Sequence, residues 1–293
     1  ELLVVIVIIG ILAGLISTAV VSAMGKAREA RVLLEIRAME AALHAFKERY
    51  GDFPPSNLQE EAKVTDFLRR AFPRYAAKYG TNLYTQFLAD AGLSPATSPA
   101  ELLVFWLSGI SEDTERPFHG QRKPLFDFAN DRLQGGRYYP DLSGAKGNAP
   151  YVYFRAADYE TVGFNTGQWI LRPYQRRKEY YAENNKYYWR NEWFNPSTFQ
   201  IISAGRDNMY GGTLGEDASR DAPVPGYDPM NPPPPAQYNY FPPGRFPTSR
   251  FSSLPSGLSL TNFDETNRPG HLDNLTNFLE GKIEGKIENA IKQ

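Results

Sequence analysis

The sequence predicts an α+β chain in which a long N-terminal α-helix packs on a small antiparallel β-sheet with long loops. Three observations carry this prediction: an uncharged apolar run from Leu2 to Met24, an apolar helical stripe that continues it, and several short β-forming segments further on. With 24 glycines and 23 prolines, we expect many turns and irregular connections. The 293 residues suffice for one large domain or two small ones.

The apolar run is long enough to cross a bilayer as a helix, which takes about 20 residues. A cleaved secretory signal is the competing interpretation, although its apolar core usually has only about 7–15 residues. After Gly25 the run continues into an amphipathic segment whose apolar residues recur at spacings of four and three: Val32, Ile36, Met39, Leu43, Phe46 and Tyr50. Gly51 and Pro54-Pro55 follow, and they favour a helix end.

We therefore predict one helix over residues 1–50. Its apolar half, residues 1–25, is expected in a membrane or in a bundle of identical helices. Its amphipathic half, residues 26–50, is expected to belong to a head domain over residues 26–293.

Glu1 stands at the head of the apolar run. An ionised side chain held in hydrocarbon costs about 3 kcal/mol. Glu1 therefore lies at the interface of a plain anchor, or it has a charged partner on another chain. Gly10 and Gly14 form a small face at which helices can approach closely, and ordinary small-residue packing is the alternative.

The first part of the head, residues 56–110, is predicted to be helical. Ser56 is expected to cap a helix that begins near Asn57. The pair Ser98-Pro99 predicts the start of a second helix, whose residues are nearly all apolar. We expect that helix, with Trp106, to be buried in the core.

Short strands and turns are predicted over residues 120–280. Four segments are rich in β-forming residues: 124–133, 150–156, 168–173 and 197–205. The segment 178–197 mixes tyrosine and tryptophan with charged residues. We interpret it as a loop that packs on its own domain or on a neighbouring subunit, and stacking on sugars or bases is the alternative.

Composition and motifs exclude several classes of function. Lys and Arg number 32 against 33 Asp and Glu, so no basic excess indicates nucleic-acid binding. No cysteine is present for a disulfide or a thiol nucleophile. His44, His119 and His271 are far apart in the sequence, and none belongs to a catalytic or metal signature. Carboxylate pairs such as Glu112-Asp113 are expected to be solvated. The sequence therefore predicts a protein without catalytic activity.

The segments ELLVVIVIIGILAGL and AALHAFKERYGDFPPS resemble the N-terminal helix of type IV pilins and type II secretion pseudopilins. Glu1 matches the glutamate of that family and Gly10 matches its helix glycine. The resemblance covers residues 1–55 and implies a pilin fold, with a basic leader and an N-methylated residue upstream of Glu1. It also implies processing by a prepilin peptidase, an inner-membrane assembly platform, and polymerisation with copies of the same chain.

A second resemblance concerns the calcium loop of the major pseudopilins. The matching segments are Gly205-Arg206-Asp207-Asn208, Gly211-Gly212 and Asp273-Asn274-Leu275-Thr276-Asn277-Phe278. The resemblance implies Asp207 and Asp273 as calcium ligands, with Asn274 as an alternative to Asp273. Between them lies an insertion, Thr213 to Gly270, whose carboxylates could replace these ligands: Glu216, Asp217, Asp221 and Asp228. The alternative is that all of them are solvated turn residues.

The expected function is that of a major pilin, a structural subunit of a type IV pilus-like extracellular filament. Before assembly the chain would be anchored in the inner membrane, and it would then polymerise through its N-terminal helix. One alternative is a pseudopilin of a type II secretion system, in a periplasmic pseudopilus. A second is a monomeric membrane-anchored binding domain.

Overall fold

The computed structural model describes residues 2–141, 149–165, 170–183, 186–204 and 275–277. For residues 2–19, 21–22, 165, 170, 175–183 and 186–192 it describes the backbone alone. The chain has the α+β architecture predicted from the sequence: a long N-terminal helix, four shorter helices and small antiparallel sheets.

The N-terminal helix α1 runs without a break over Leu2–Tyr50. Its 49 residues extend about 73 Å at 1.5 Å per residue. It ends as the sequence predicts: Gly51 adopts φ +87°, and its N–H donates to the carbonyl of Lys47 at 2.7 Å. The single helix predicted over residues 1–50 is confirmed for every residue after Glu1, which lies outside the described part of the chain.

Four helices follow in the first part of the head: α2 Glu61–Ala71, α3 Pro73–Tyr79, α4 Leu83–Ala91 and α5 Pro99–Leu107. The prediction that Ser56 caps a helix near Asn57 is wrong. Helix α2 begins only at Glu61, and no side chain caps it. Ser56 is fully buried instead, because its hydroxyl and N–H bind a carboxylate 102 residues further along the chain.

Helix α5 begins where the sequence predicts. Ser98 forms a capping box with Glu101: the Ser98 N–H donates to Glu101 Oε2 at 2.8 Å, and the Glu101 N–H donates to Ser98 Oγ at 3.4 Å. Every residue of α5 except Glu101 is buried. Trp106 is a core residue as expected, and its indole N–H donates to the carbonyl of Pro55 at 3.0 Å.

The central sheet has the strand order β11-β10-β5, and all its pairs are antiparallel. Strand β5 is Val152–Arg155, β10 is Phe199–Ser203 and β11 is Leu275–Thr276. Strands β5 and β10 confirm the strands predicted in segments 150–156 and 197–205. Both faces are covered, since Ile201 packs on the side of α1 while Ile202 packs in a second cluster behind the sheet.

The remaining strands are short, apart from one hairpin. They are β1 Ile110–Ser111, β2 Arg122–Lys123, β3 Leu133–Gln134, β4 Arg137–Tyr138, β6 Phe164–Asn165 and β7 Ile170–Leu171. The strand predicted over 124–133 is wrong except for Leu133, because its aromatic residues pack irregularly against the α1 core. Of the segment 168–173, the structure describes residues 170–173, and among these β7 is the strand.

The longest strands are β8 Gln175–Glu183 and β9 Lys186–Trp193, which pair as one antiparallel ribbon. The prediction of a loop over 178–197 is therefore wrong for most of that segment. In the register of this ribbon, three positions pair an acidic residue with a basic one: Glu183 with Lys186, Glu179 with Arg190, and Arg176 with Glu192.

Two clusters join the helices of the head to α1. In the first, the apolar stripe of α1 packs on α5 and on the central sheet. In the second, Phe46 at the end of α1 packs into an aromatic cluster with α2 to α5. Its central ring is Trp106, whose centroid lies 5.7 Å from that of Phe46 and 5.8 Å from that of Phe87. Burying each such ring contributes about 1.5–3 kcal/mol, so the head is fastened to α1 along its last five turns.

Gly109 generates the first prediction. It has φ +89°, and a Cβ there would lie 1.8 Å from the backbone oxygen of Lys123. Gly109→Ala should therefore lower the free energy of unfolding of the full chain in detergent by about 3 kcal/mol or more, because β2 must move. Gly120→Ala is the matched control: its φ is +78°, but the nearest atom lies 4.0 Å away. The control should cost only about 1 kcal/mol, and equal losses would contradict the argument.

Candidate functional site

Helix α1 presents one face to the head. Val32, Ile36, Met39, Leu43 and Phe46 of the predicted stripe are at most 1 % exposed, and Tyr50 is partly buried. The apolar stripe predicted from the spacing is therefore buried, as expected. This face is held by the sheet and by α5, so it is not available to any other molecule.

Apart from Arg31, the opposite face of α1 is also apolar between residues 20 and 45, and it is exposed. At about 100° per residue, its positions fall within an arc of about 120° on the helix. We call these residues the outer arc: Val20, Ala23, Met24, Ala27, Ala30, Leu34, Ala38, Ala41 and Ala45, all exposed. Val20, Met24 and Leu34 are 48 %, 53 % and 61 % exposed, and they are the exposed large hydrophobic residues of the part of the chain with described side chains.

A polar cluster fixes the middle of α1 to the head. Glu35 accepts hydrogen bonds from both terminal nitrogens of Arg132, and its Oε2 accepts another from the Tyr151 hydroxyl at 2.6 Å. The Arg132 guanidinium also lies over the ring of Tyr138, 4.5 Å from its centroid. This cluster sets the rotation of α1 relative to the sheet, and that rotation turns the outer arc away from the head.

A buried ion pair holds the chain where it leaves α1. Arg155 and Asp158 are paired at 2.9 Å with side chains 5 % and 2 % exposed. The N–H and hydroxyl of Ser56 both donate to Asp158 Oδ2, at 2.9 and 3.0 Å, and the Arg155 N–H donates to Ser56 Oγ. Arg155 also donates to the carbonyl of Phe53. The turn after α1 is thus tied to the end of β5.

The proposed calcium ligands Asp207, Asp273 and Asn274 lie outside the described residues. What the structure describes is the sheet on either side of them. Strand β10 ends at Ser203, which is paired with Leu275, the first residue of β11. The chain therefore leaves the sheet and returns to it at neighbouring positions. Within the described part of the chain, no group of three His, Asp or Glu residues could hold a metal ion.

Asn277 fastens the returning strand. Its Oδ1 accepts a hydrogen bond from the N–H of Ile201 at 2.8 Å, and its Nδ2 lies 3.5 Å from Oε1 of Glu40 on α1. One side chain thus connects β11, β10 and α1. The family resemblance had placed Asn277 beside the calcium loop, without indicating this role.

Of the predicted assembly residues, Gly10 and Gly14 lie within the continuous backbone of α1, whereas Glu1 lies outside the described part. Among the residues whose side chains are described, none of the helices is long and apolar enough to cross a membrane. Most of the Leu2–Met24 run is not among those residues.

The described histidines occupy ordinary surface positions. His44 packs its exposed ring on Phe53 and Phe199. His119 Nε2 lies 3.1 Å from Asp90 Oδ1. Burial alone would raise the pKa of Asp90, but hydrogen bonds from His119, Tyr75 and Gln86 outweigh it and lower that pKa. Glu112 and Asp113 are exposed, as expected. His271 lies outside the described residues.

Comparisons with family models, with curated protein sequences and with solved structures find no match to this chain.

The second prediction concerns the buried group of Ser56, Arg155 and Asp158, which we call the Asp158 clamp. Asp158→Ala should lower the free energy of unfolding by about 3–5 kcal/mol, because it removes the close carboxylate partner of buried Arg155 and the acceptor of two donors of Ser56. Asp66→Ala is the control, since it removes an exposed pair with Arg69 and should cost about 1 kcal/mol or less. Chemical denaturation of the full chain in detergent measures both. A loss at Asp158 no larger than at Asp66 would contradict the proposed importance of the clamp.

Proposed function

We propose that this chain is a major pilin, a structural subunit of a type IV pilus-like filament that polymerises through α1. The observation that carries the proposal is the outer arc: a second apolar face that runs along the same helix whose first face holds the head. A soluble surface seldom exposes a contiguous apolar patch without a binding partner.

Assembly into a filament would bury the apolar surfaces of α1 that the head does not cover. The outer arc begins within the Leu2–Met24 run and continues along the same helix, so a bundle of α1 helices buries both together. Removing this surface from water is favourable, at roughly 25 cal/mol per Å² of apolar area. Alanines dominate the arc beyond Met24, and small side chains let helix backbones approach closely.

A monomeric anchored domain explains less. Such a protein needs the Leu2–Met24 run, but it has no use for an exposed apolar face that continues to Ala45. A lone anchor also gains nothing from a carboxylate at Glu1. In the filament, Glu1 would neutralise the N-terminal amine of an adjacent subunit. By family resemblance, the inner membrane holds the chain before the assembly platform extracts it.

The third prediction tests the outer arc. Ala38→Asp should abolish filaments seen by electron microscopy of sheared cell-surface material, because it places a charge in the helix bundle. Ala77→Asp is the matched control: Ala77 is also an exposed helical alanine, but it lies on α3, away from the arc. Both variants should keep the thermal stability of the head within a few degrees of each other. Normal filaments from Ala38→Asp would contradict the proposal.

A pseudopilin of a type II secretion system is the second candidate. It is favoured by the neighbouring ends of β10 and β11, between which lies the segment with the resemblance to the calcium loop. Backbone carbonyls with two carboxylates suit calcium, which takes 6–8 oxygen ligands. The same Asp207 and Asp273, with Asn274 as the alternative ligand, would hold the ion. Short periplasmic filaments in place of long surface fibres would favour this candidate.

The fourth prediction concerns calcium. Millimolar calcium should raise the melting temperature of the full chain by several degrees over its value in chelator, because an ion that binds only the folded state stabilises it. Asp207→Asn with Asp273→Asn should remove this shift, whereas Glu112→Gln with Asp113→Asn, at exposed positions, should keep it. If chelator leaves the melting temperature of the unaltered chain unchanged, the calcium site is excluded.

A further inference from the structure

One charged residue lies among the residues of the outer arc, between Val20 and Ala45. Arg31 is exposed, and it lies within the same sector of the helix as Met24, Ala27 and Leu34. Its guanidinium forms no hydrogen bond or ion pair with any described residue of its own chain. Burying the arc against another helix therefore removes an unpaired cation from water, which costs several kcal/mol unless a carboxylate accompanies it.

The carboxylates of α1 differ in whether they are already engaged. Glu35 accepts from Arg132 and Tyr151, Glu40 is held by Asn277, and Glu29 also has an interaction within the chain. Glu48 is exposed and has no hydrogen bond or ion pair among the described residues. It lies at the edge of the outer arc, about one turn beyond Ala45.

We propose that Arg31 of one subunit pairs with Glu48 of a neighbouring subunit, and that this pair sets how far the two copies are displaced along the filament. The inference rests on the proposed filament function and deepens it by naming the contact between copies. Both halves of the pair are present in every copy, so each subunit uses Arg31 toward one neighbour and Glu48 toward another.

The positions on the helix suit this arrangement. Arg31 and Glu48 are separated by about 100° around α1, so they face different neighbours. Contacts in a helical polymer are heterologous, with two different patches of the same surface meeting, and such contacts propagate without closing. A pair with both members at one angular position would favour a closed dimer instead.

The separation along the helix gives the displacement. Arg31 and Glu48 are seventeen positions apart in the sequence, which is about 25 Å along the helix at 1.5 Å per residue. An alanine-rich face alone allows two helices to slide past each other, because its residues are nearly equivalent. One charge pair in an apolar interface specifies the register, as polar residues do in coiled coils.

Charge reversal in the full chain, in the cells that assemble it, tests the pair. Arg31→Glu and Glu48→Arg should each reduce the yield of sheared filaments at least about tenfold, and the double variant should restore most of it, because the pair is then present in reverse. Lys26→Glu is the matched control, since Lys26 is exposed on α1 but lies about 140° from Arg31. It should leave the yield unchanged.

Cross-linking gives a second readout that does not depend on yield. The chain contains no cysteine, so only introduced thiols react. In intact filaments, Arg31→Cys with Glu48→Cys should give a ladder of multimers with a short bis-maleimide, whereas either single variant and Lys26→Cys with Glu48→Cys should not. Normal filaments from Arg31→Glu, or filaments of the double-cysteine variant without a ladder, would overturn the pair and leave the filament function standing. If the unaltered chain forms no filaments, both proposals fall.

Discussion

The packing of α1 on the central sheet is the interaction on which the rest of the structure depends. Strands β5 and β10 place alternate side chains toward the helix, and the helix meets them with residues spaced three and four apart. Neither element could bury its apolar face alone. This packing covers one face of α1 and leaves the opposite face exposed. The position of the head therefore determines which residues form the outer arc.

Two charged groups secure this packing at different heights on α1. Glu35 with Arg132 and Tyr151 acts along the middle of the helix, and Arg155 with Asp158 acts where the chain leaves it. Both groups are largely buried, so the cost of desolvating their charges offsets much of the attraction between them. Their main effect is on geometry, because any other arrangement would leave a buried charge without its partner. They hold the rotation of the helix and the path of the chain after it.

Much of this arrangement could be predicted because its determinants are local. The stripe from Val32 to Tyr50 is visible as a period, and Ser98 with Glu101 forms a cap whose parts lie three residues apart. Ser56 could not be predicted, since its partner Asp158 is remote in sequence and a serine before a polar segment usually caps a helix. The β8–β9 ribbon was missed because its alternation is between charged and aromatic residues, although Asn184-Asn185 between two tyrosine-rich segments was a turn signal. The outer arc could have been found from the spacing of Ala27, Ala38 and Ala45, but only the structure shows that it is exposed.

The adjacent ends of β10 and β11 have a consequence for how this chain tolerates change. The free energy of closing a loop rises only with the logarithm of its length, so doubling the chain between two neighbouring strand ends costs about 0.6 kcal/mol. The segment between Ala204 and Leu275 begins and ends at such a pair, and Asn277 fastens its return. On this argument, we expect insertions there to leave the register of the sheet and its packing on α1 unchanged. A change of sequence at this point therefore leaves the outer arc of α1 as it is.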